Sequence, residues 1–208
     1  MQIIEVKDIK KHLTALTLLG GEVLELDKDI VLENGLCKGT VLDEEKIKEY
    51  KHDSDYRRAK GRALWYLDRM DHTEKALFEK LIKAGFSKRI SAEVLAKLCE
   101  LGLIDDRRYA ERFAARCMEN NISKREATQK MLLKGIPYEL IKEVLSETET
   151  DEAAQIAALL RGKYANKLSQ EGGVEKVYAA LARKGFSFSN IRAALKEYSE
   201  ELEFCEEN

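Results

Sequence analysis

Proline is almost missing from this chain: Pro137 is the only one in 208 residues, and glycine is sparse at 12. A sandwich or barrel with many tight turns needs more of both, so long helices are expected. No apolar run approaches the roughly 20 residues that cross a bilayer, which predicts no membrane association. The start, Met1-Gln2-Ile3-Ile4-Glu5, has neither the basic residues nor the apolar stretch of a signal peptide, so a cytoplasmic location is expected. The four cysteines, Cys37, Cys99, Cys117 and Cys205, fall in no metal or redox spacing. They read as small buried apolar side chains in a reducing compartment. His12, His52 and His72 stand apart, no nucleophile has a base beside it, and Leu19-Gly20-Gly21 lacks the lysine of a phosphate-binding loop. These readings predict no catalytic residue, no cofactor and no metal.

What the chain does have is charge. Hydrophobic residues make up 44% and charged residues 36%, the balance of a globular protein with a heavily charged surface. The formal charge of −2 hides a dipolar pattern. Residues 1–56 carry 8 Lys and Arg against 13 Asp and Glu, residues 57–145 carry 20 against 13, and residues 146–208 carry 8 against 12. A basic middle between acidic ends suits an anionic partner for the middle.

Residues 1–42 differ from the rest. Leu13 to Leu18 and Glu22 to Leu26 are short runs separated by Gly20-Gly21, and the second alternates with period two. Asp27-Lys28-Asp29 reads as a turn into a third strand, Ile30-Val31-Leu32, giving a small antiparallel meander that leans on the next helix. Asp43 with Glu44-Glu45 opens that helix.

From Tyr56 onward the period is helical and the wording repeats. Gly85, Gly135 and Gly185 are spaced 50 residues apart, each closing similar text: Leu81-Ile82-Lys83-Ala84-Gly85-Phe86, Met131-Leu132-Leu133-Lys134-Gly135-Ile136 and Leu181-Ala182-Arg183-Lys184-Gly185-Phe186. Leu95, Leu145 and Leu195 follow ten residues later. A fixed period with matched punctuation marks tandem modules. The expected helices are 57–69, 74–84 and 88–101, then 106–119, 124–134 and 138–147, then 151–167, 172–184 and 188–202. Ser123-x-x-Glu126 forms a capping box, and Pro137 suits a first helical turn. The fold expected is mainly α: three tandem three-helix modules in an elongated, curved body, with a small N-terminal meander and helix. The corresponding boundaries are 1–55 for the extension, 56–103, 104–148 and 149–208 for the modules.

Two helices carry arginine stripes. Arg58, Arg62, Trp65 and Arg69 share one face of the first module's leading helix, beside an apolar face of Ala59, Ala63, Tyr66, Leu67 and Met70. Arg108, Arg112 and Arg116 do the same on the second module's leading helix, whose core face is Tyr109, Ala110, Phe113 and Cys117. Arginine pairs bidentately with carboxylates and phosphates, so such stripes suit an acidic protein surface or a DNA backbone. Lys124, Arg125, Arg183 and Lys184 are further candidate contacts, whereas Trp65 reads as the edge of the core. Asp105-Asp106 point about 100° apart on a helix and do not converge on a cation. They read as a helix cap.

The wording is similar to that of the RecX family, bacterial regulators of RecA recombinase. Gly102-Leu103-Ile104-Asp105-Asp106-Arg107-Arg108-Tyr109-Ala110 resembles the family's signature, as do Ala63-Leu64-Trp65-Tyr66-Leu67 with Asp71-His72-Thr73, and the run from Val177 to Ser187. The resemblance covers residues 57–198, and residues 34–49 resemble the N-terminal extension of some members. Met70 stands where arginine is usual, Ala76 where glutamate is common, and Asn120-Asn121 where a glycine is usual. The resemblance implies a non-enzymatic protein that binds RecA and its filament on single-stranded DNA, limiting filament growth, strand exchange and coprotease activity. A monomer is expected. The other reading of the residues is a helical-repeat protein acting directly on DNA, at least weakly, through helix-turn-helix-like modules.

Overall fold

The computed structural model describes residues 1–206, with side chains as far as Glu200. Cys205 therefore lies outside the described side chains. The chain divides into two compact units, Met1–Asp105 and Asp106–Asn208. The fold is mainly helical, with one small sheet at the start.

In the first unit, β1 (Ile3–Lys10), β2 (Leu13–Leu18) and β3 (Val23–Asp27) form an antiparallel sheet in sequence order. β2 and β3 are where the alternation puts them. The expected third strand over residues 30–32 is instead α1 (Lys28–Glu33). The reason is local: the Asp27 carboxylate accepts the Asp29 N–H, so the residue read as a turn starts a helix. The strand that completes the sheet is β1, which was not expected. Only Ile3 of its eight residues is buried, so it has no period-two signal. It is an edge strand interrupted by two irregularities in register and rich in charge, features that discourage edge-to-edge association. Met1 and Ile3 tie it to residues 40–42 through backbone hydrogen bonds.

The sheet's core, Ile3, Leu16, Leu18, Leu24 and Leu26 with Ile30, Val31, Leu36 and Leu42, packs against Ile47 and Tyr50 of α2 (Glu44–Arg69). The fully buried Ser54 hydroxyl of α2 accepts the Asp27 N–H at 2.7 Å. Arg57 forks onto both oxygens of Glu33 at 3.0 and 2.9 Å, tying α2 to α1. The helix opened by Asp43 and the helix expected at residue 57 are thus one element of 26 residues. The boundary placed at 55 and 56 falls inside it. Nothing in Asp53-Ser54-Asp55 breaks a helix, because their side chains find partners without leaving it.

The second half of α2 packs with α3 (Glu74–Lys83) and α4 (Lys88–Glu100) as a three-helix module. Ala59 and Ala63 are fully buried, letting the helices approach closely around Leu77, Leu81, Val94, Leu95 and Leu98. A leucine so placed, truncated to alanine, costs about 2–5 kcal/mol. His52 Nε2 meets Glu93 of α4 at 2.9 Å.

In the second unit, α5 (Asp106–Glu119), α6 (Lys124–Leu133) and α7 (Tyr138–Glu147) repeat the pattern, with Ala110 and Ala114 at the close approach. Next come α8 (Glu152–Arg161), α9 (Ala165–Leu168), α10 (Gly173–Lys184) and α11 (Phe188–Glu206). The single helix expected over 151–167 is broken at Gly162, after which the short α9 turns the chain. Tyr164, between them, is buried and helps fill the core of Ile156, Leu160, Val177, Leu181, Phe186 and Ile191. Pro137 sits at the N-cap of α7, one residue before the first turn. Cys117 is buried as expected, Cys99 is half-buried, and Cys37 is exposed, contrary to expectation, in the loop after α1.

The repeat glycines close their helices as the spacing predicts. Gly85, Gly135 and Gly185 have φ of 94°, 87° and 90°. After each, the next N–H reaches back to the last turn: Phe86 to Leu81 O at 3.2 Å, Ile136 to Met131 O at 3.2 Å and Phe186 to Leu181 O at 3.3 Å. Asn121, at φ 53°, plays this part after α5, with Ile122 bonding back to Cys117 O at 2.9 Å.

Replacing Gly135 by valine forces a β-branched residue into the left-handed region and should cost on the order of 1–2 kcal/mol. A urea titration reads this as a lower midpoint with unchanged slope. An unchanged midpoint would mean that ordinary backbone serves there.

The His52 imidazole also makes the fold pH-sensitive. Hydrogen bonds to Glu93 and then Asp53 favour its charged form and raise its pKa above the ordinary 6.5. Its contribution is therefore complete below the unfolded value and is lost as pH rises through the higher folded one. Imidazole NMR should show His52 titrating above the ordinary histidine value of 6.5. In E93Q that elevation should shrink, along with the extra stability on the acid side.

Candidate partner-binding surfaces

On α2 the expected stripe is realised. Arg58, Arg62, Trp65 and Arg69 are all exposed, on the side away from the buried Ala59 and Ala63. Trp65 corrects its expected place at the core edge: it is 44% exposed. Two residues beyond Ala63 is a rotation of about 200°, which carries it away from the core. The Arg69 guanidinium lies 3.8 Å from the indole centroid and that of Arg62 5.6 Å from it. Tyr66 abuts the same ring edge-on at 5.2 Å. Such cation–π contacts hold the arginines over the ring while leaving their N–H groups able to meet an anion. Arg58 pairs with Asp55 at 3.5 Å. Met70 leaves the expected apolar face because α2 ends at Arg69, and the extended backbone of Met70 turns it to solvent at 61% exposure.

On α5, Arg108, Arg112 and Arg116 are exposed, across the helix from Ala110, Ala114 and Cys117. Tyr109 and Phe113 stack at 6.2 Å on the core side and are half-buried. Arg107, which sequence reasoning passed over, is an internal brace. It meets Glu111 at 3.2 Å and reaches Glu143 and Glu147 of α7 at 2.9 and 3.2 Å. The spacing of Glu143 and Glu147, one turn apart on α7, was the available signal. Asp105 directly precedes α5 and Asp106 is its first residue. Among the described residues, no three His, Cys, Asp or Glu side chains gather where they could hold a metal ion. Nor is any described helix long and apolar enough to cross a membrane.

The remaining candidates divide between duties. The Lys124 ammonium donates to the carbonyls of Leu145 and Thr148 at 2.7 and 2.9 Å, closing the end of α7. Ser123 accepts the Glu126 N–H as the capping box predicts, and its hydroxyl donates to the Lys184 carbonyl of α10. The Glu126 carboxylate does not complete the box. It binds Lys130 at 2.9 Å and Lys184 at 3.0 Å. Burial alone would raise the Glu126 pKa, but these two ammonium groups hold it below the ordinary value. The Arg125 stem lies against Gly185 so closely that a Cβ there would come within 2.6 Å of it. Arg183 is exposed and, among the described residues, donates only to the Ala179 carbonyl of its own helix, at 3.3 Å. Between α6 and α10 an open groove of about 570 Å³ remains.

Trp65 is the only tryptophan, so its emission reports on α2 alone. Replacing Arg62 and Arg69 together by alanine should strip the ring's cover and increase its quenching by acrylamide, with helicity unchanged by circular dichroism. Equal quenching in both proteins would show that the arginines do not rest on the ring.

The family model for the RecX first three-helix domain matches residues 59–98, the segment that holds the second half of α2, α3 and most of α4. The regulatory protein RecX of Streptococcus pneumoniae serotype 19F (strain G54) is 30% identical over 196 residues, covering 93% of this chain and 76% of that one. That of S. pneumoniae strain Taiwan19F-14 is 31% identical over 199 residues, with the same coverage. Among solved structures, a crystal structure of regulatory protein RecX matches with a TM-score of 0.69 at 24% identity, over 94% of this chain and 98% of that one. RecX from Lactobacillus salivarius matches with a TM-score of 0.60 at 26% identity, over 69% and 96%. A helical fold shared over nearly the whole chain, with sequence identity sustained along the same length, has one reading: the chain belongs to the RecX family of regulatory proteins.

Proposed function

We propose that the protein regulates RecA recombinase, mainly as a negative modulator. It binds RecA and its filament on single-stranded DNA and limits filament growth, strand exchange and coprotease activity. It acts in the cytoplasm as a monomer, by binding alone, with no cofactor and no catalytic step. The observation that carries this reading beyond family membership is the exposed stripe of Arg108, Arg112 and Arg116 on α5, three guanidinium groups at successive turns on a rigid helix. Such a row matches carboxylates or phosphates bidentately. The modules over 56–103, 104–148 and 149–208 would each offer a patch. Patches joined in one chain raise each other's effective concentration on a repeating filament.

Direct DNA binding is the second reading, favoured by the exposed Arg62, Trp65 and Arg69, since an aromatic ring flanked by arginines suits unpaired bases. Affinity for free DNA across a salt series separates the two readings. A steep loss means many phosphate contacts. Weak DNA binding beside tight filament binding supports regulation through protein contact.

Changing Arg108, Arg112 and Arg116 together to alanine should weaken filament binding by about tenfold or more, equivalent to roughly 1.4 kcal/mol. Melting should barely change, because none of the three is buried. Filament-binding anisotropy at constant salt is the measurement, and undiminished binding would reduce the stripe to a solvated helix face.

A further inference from the structure

We propose that the groove between α6 and α10 is a docking site for an acidic protein segment that carries an apolar side chain. This surface is separate from the α5 stripe and does not rest on the function proposed above.

Leu133 is the first observation. It is 86% exposed at the end of α6, on the rim of the groove. The 50-residue repeat puts Lys83 and Arg183 at the same position in the other modules. The second module alone offers an apolar side chain where its neighbours carry a cation. Covering that leucine removes apolar surface from water, a gain available to whatever seats there.

The charge around it is the second. Lys130, Arg183 and Lys184 line the groove against one carboxylate, Glu126. Glu126 already binds both Lys130 and Lys184. Arg183 has no carboxylate partner among the described residues, so its planar fork is left to bind one. The groove is therefore cationic overall, with its own acid neutralised and an apolar knob at its mouth.

The third is that the groove is pre-formed. Ser123 and Glu126 grip Lys184, and Arg125 rests against Gly185, so the start of α6 is fixed to the end of α10. A preset groove spares an incoming segment the cost of ordering it.

Together these features select the occupant. A phosphodiester strand would gain from the cations but nothing from Leu133, and it would meet the Glu126 carboxylate. A segment with Asp or Glu flanking an apolar residue satisfies both, its carboxylates on Arg183 and Lys130 and its apolar side chain on Leu133.

The test uses the full chain labelled with nitrogen-15 and two probes: a short synthetic peptide of Asp and Glu around a central Phe, and an oligothymidylate of similar length. The peptide should shift amide signals of α6 and α10 around Lys130, Leu133 and Arg183. L133S and R183E should each weaken it by about fivefold or more, on the scale of an interface anchor, and so should replacing the peptide's Phe by Ser. Both protein changes are at exposed positions, so the spectra should otherwise overlay. Any of four results overturns the proposal. These are no peptide binding, shifts spread equally over the α2 and α5 arginines, oligothymidylate binding the groove more tightly than the peptide, or concentration-dependent broadening of the same signals without peptide, which would mark a second copy as the occupant. No recombinase is present, so the outcome is independent of whether the protein regulates one.

Discussion

Helices of ten to 14 residues hold their modules together only if the chain reverses tightly between them. The left-handed closure does this. At Gly85, Gly135 and Gly185 the backbone turns back, and the following N–H bonds to the last helical turn. The residue that carries that N–H is apolar each time: Phe86, Ile136 and Phe186. Ile136 and Phe186 are 2% and 4% exposed, so the closure also seals a core. The start of the next helix, and hence the direction of every side chain on it, follows from that one reversal. Asn121 shows the constraint is conformational and not a demand for glycine as such.

The helical modules could be read from the sequence because two signals coincided there, the 3.6-residue period and the repeated closing words. Where only one was present, reading failed in definable ways. β1 has a single buried residue, so alternation could not reveal it. Ile30-Val31-Leu32 is apolar and branched like a strand, but the Asp27 cap makes it helical, with Ile30 and Val31 buried against the sheet. The continuity of α2 was obscured by the change in composition near Tyr56, which alters what the helix packs on and not whether it is one. The break at Gly162 is signalled only by a glycine within a helical pattern, a mark that helices also tolerate.

Of the candidate site, position on a helix was readable and duty was not. Spacing alone put Arg58, Arg62 and Arg69 on one face, and Arg108, Arg112 and Arg116 on another. Spacing could not tell that Arg107, next to Arg108, turns to Glu143 and Glu147, or that Lys124 is committed to carbonyls at the end of α7. Those partners lie 20 to 40 residues away, and only packing brings them within reach. A local excess of positive charge therefore overstates what is offered outward. Arg57, Arg107, Lys124 and Lys184 work within the protein.

The 26-residue α2 has a mechanical consequence. At 1.5 Å per residue it is a rod about 39 Å long, shared by the sheet at one end and the three-helix module at the other. No joint separates the two, since Ser54 and Arg57 fasten the sheet side to the middle of the rod. The sheet is thus a rigid handle. A force, dye or spin label applied to β2 or β3 would report the orientation of the first module directly, with little swivel of its own to subtract.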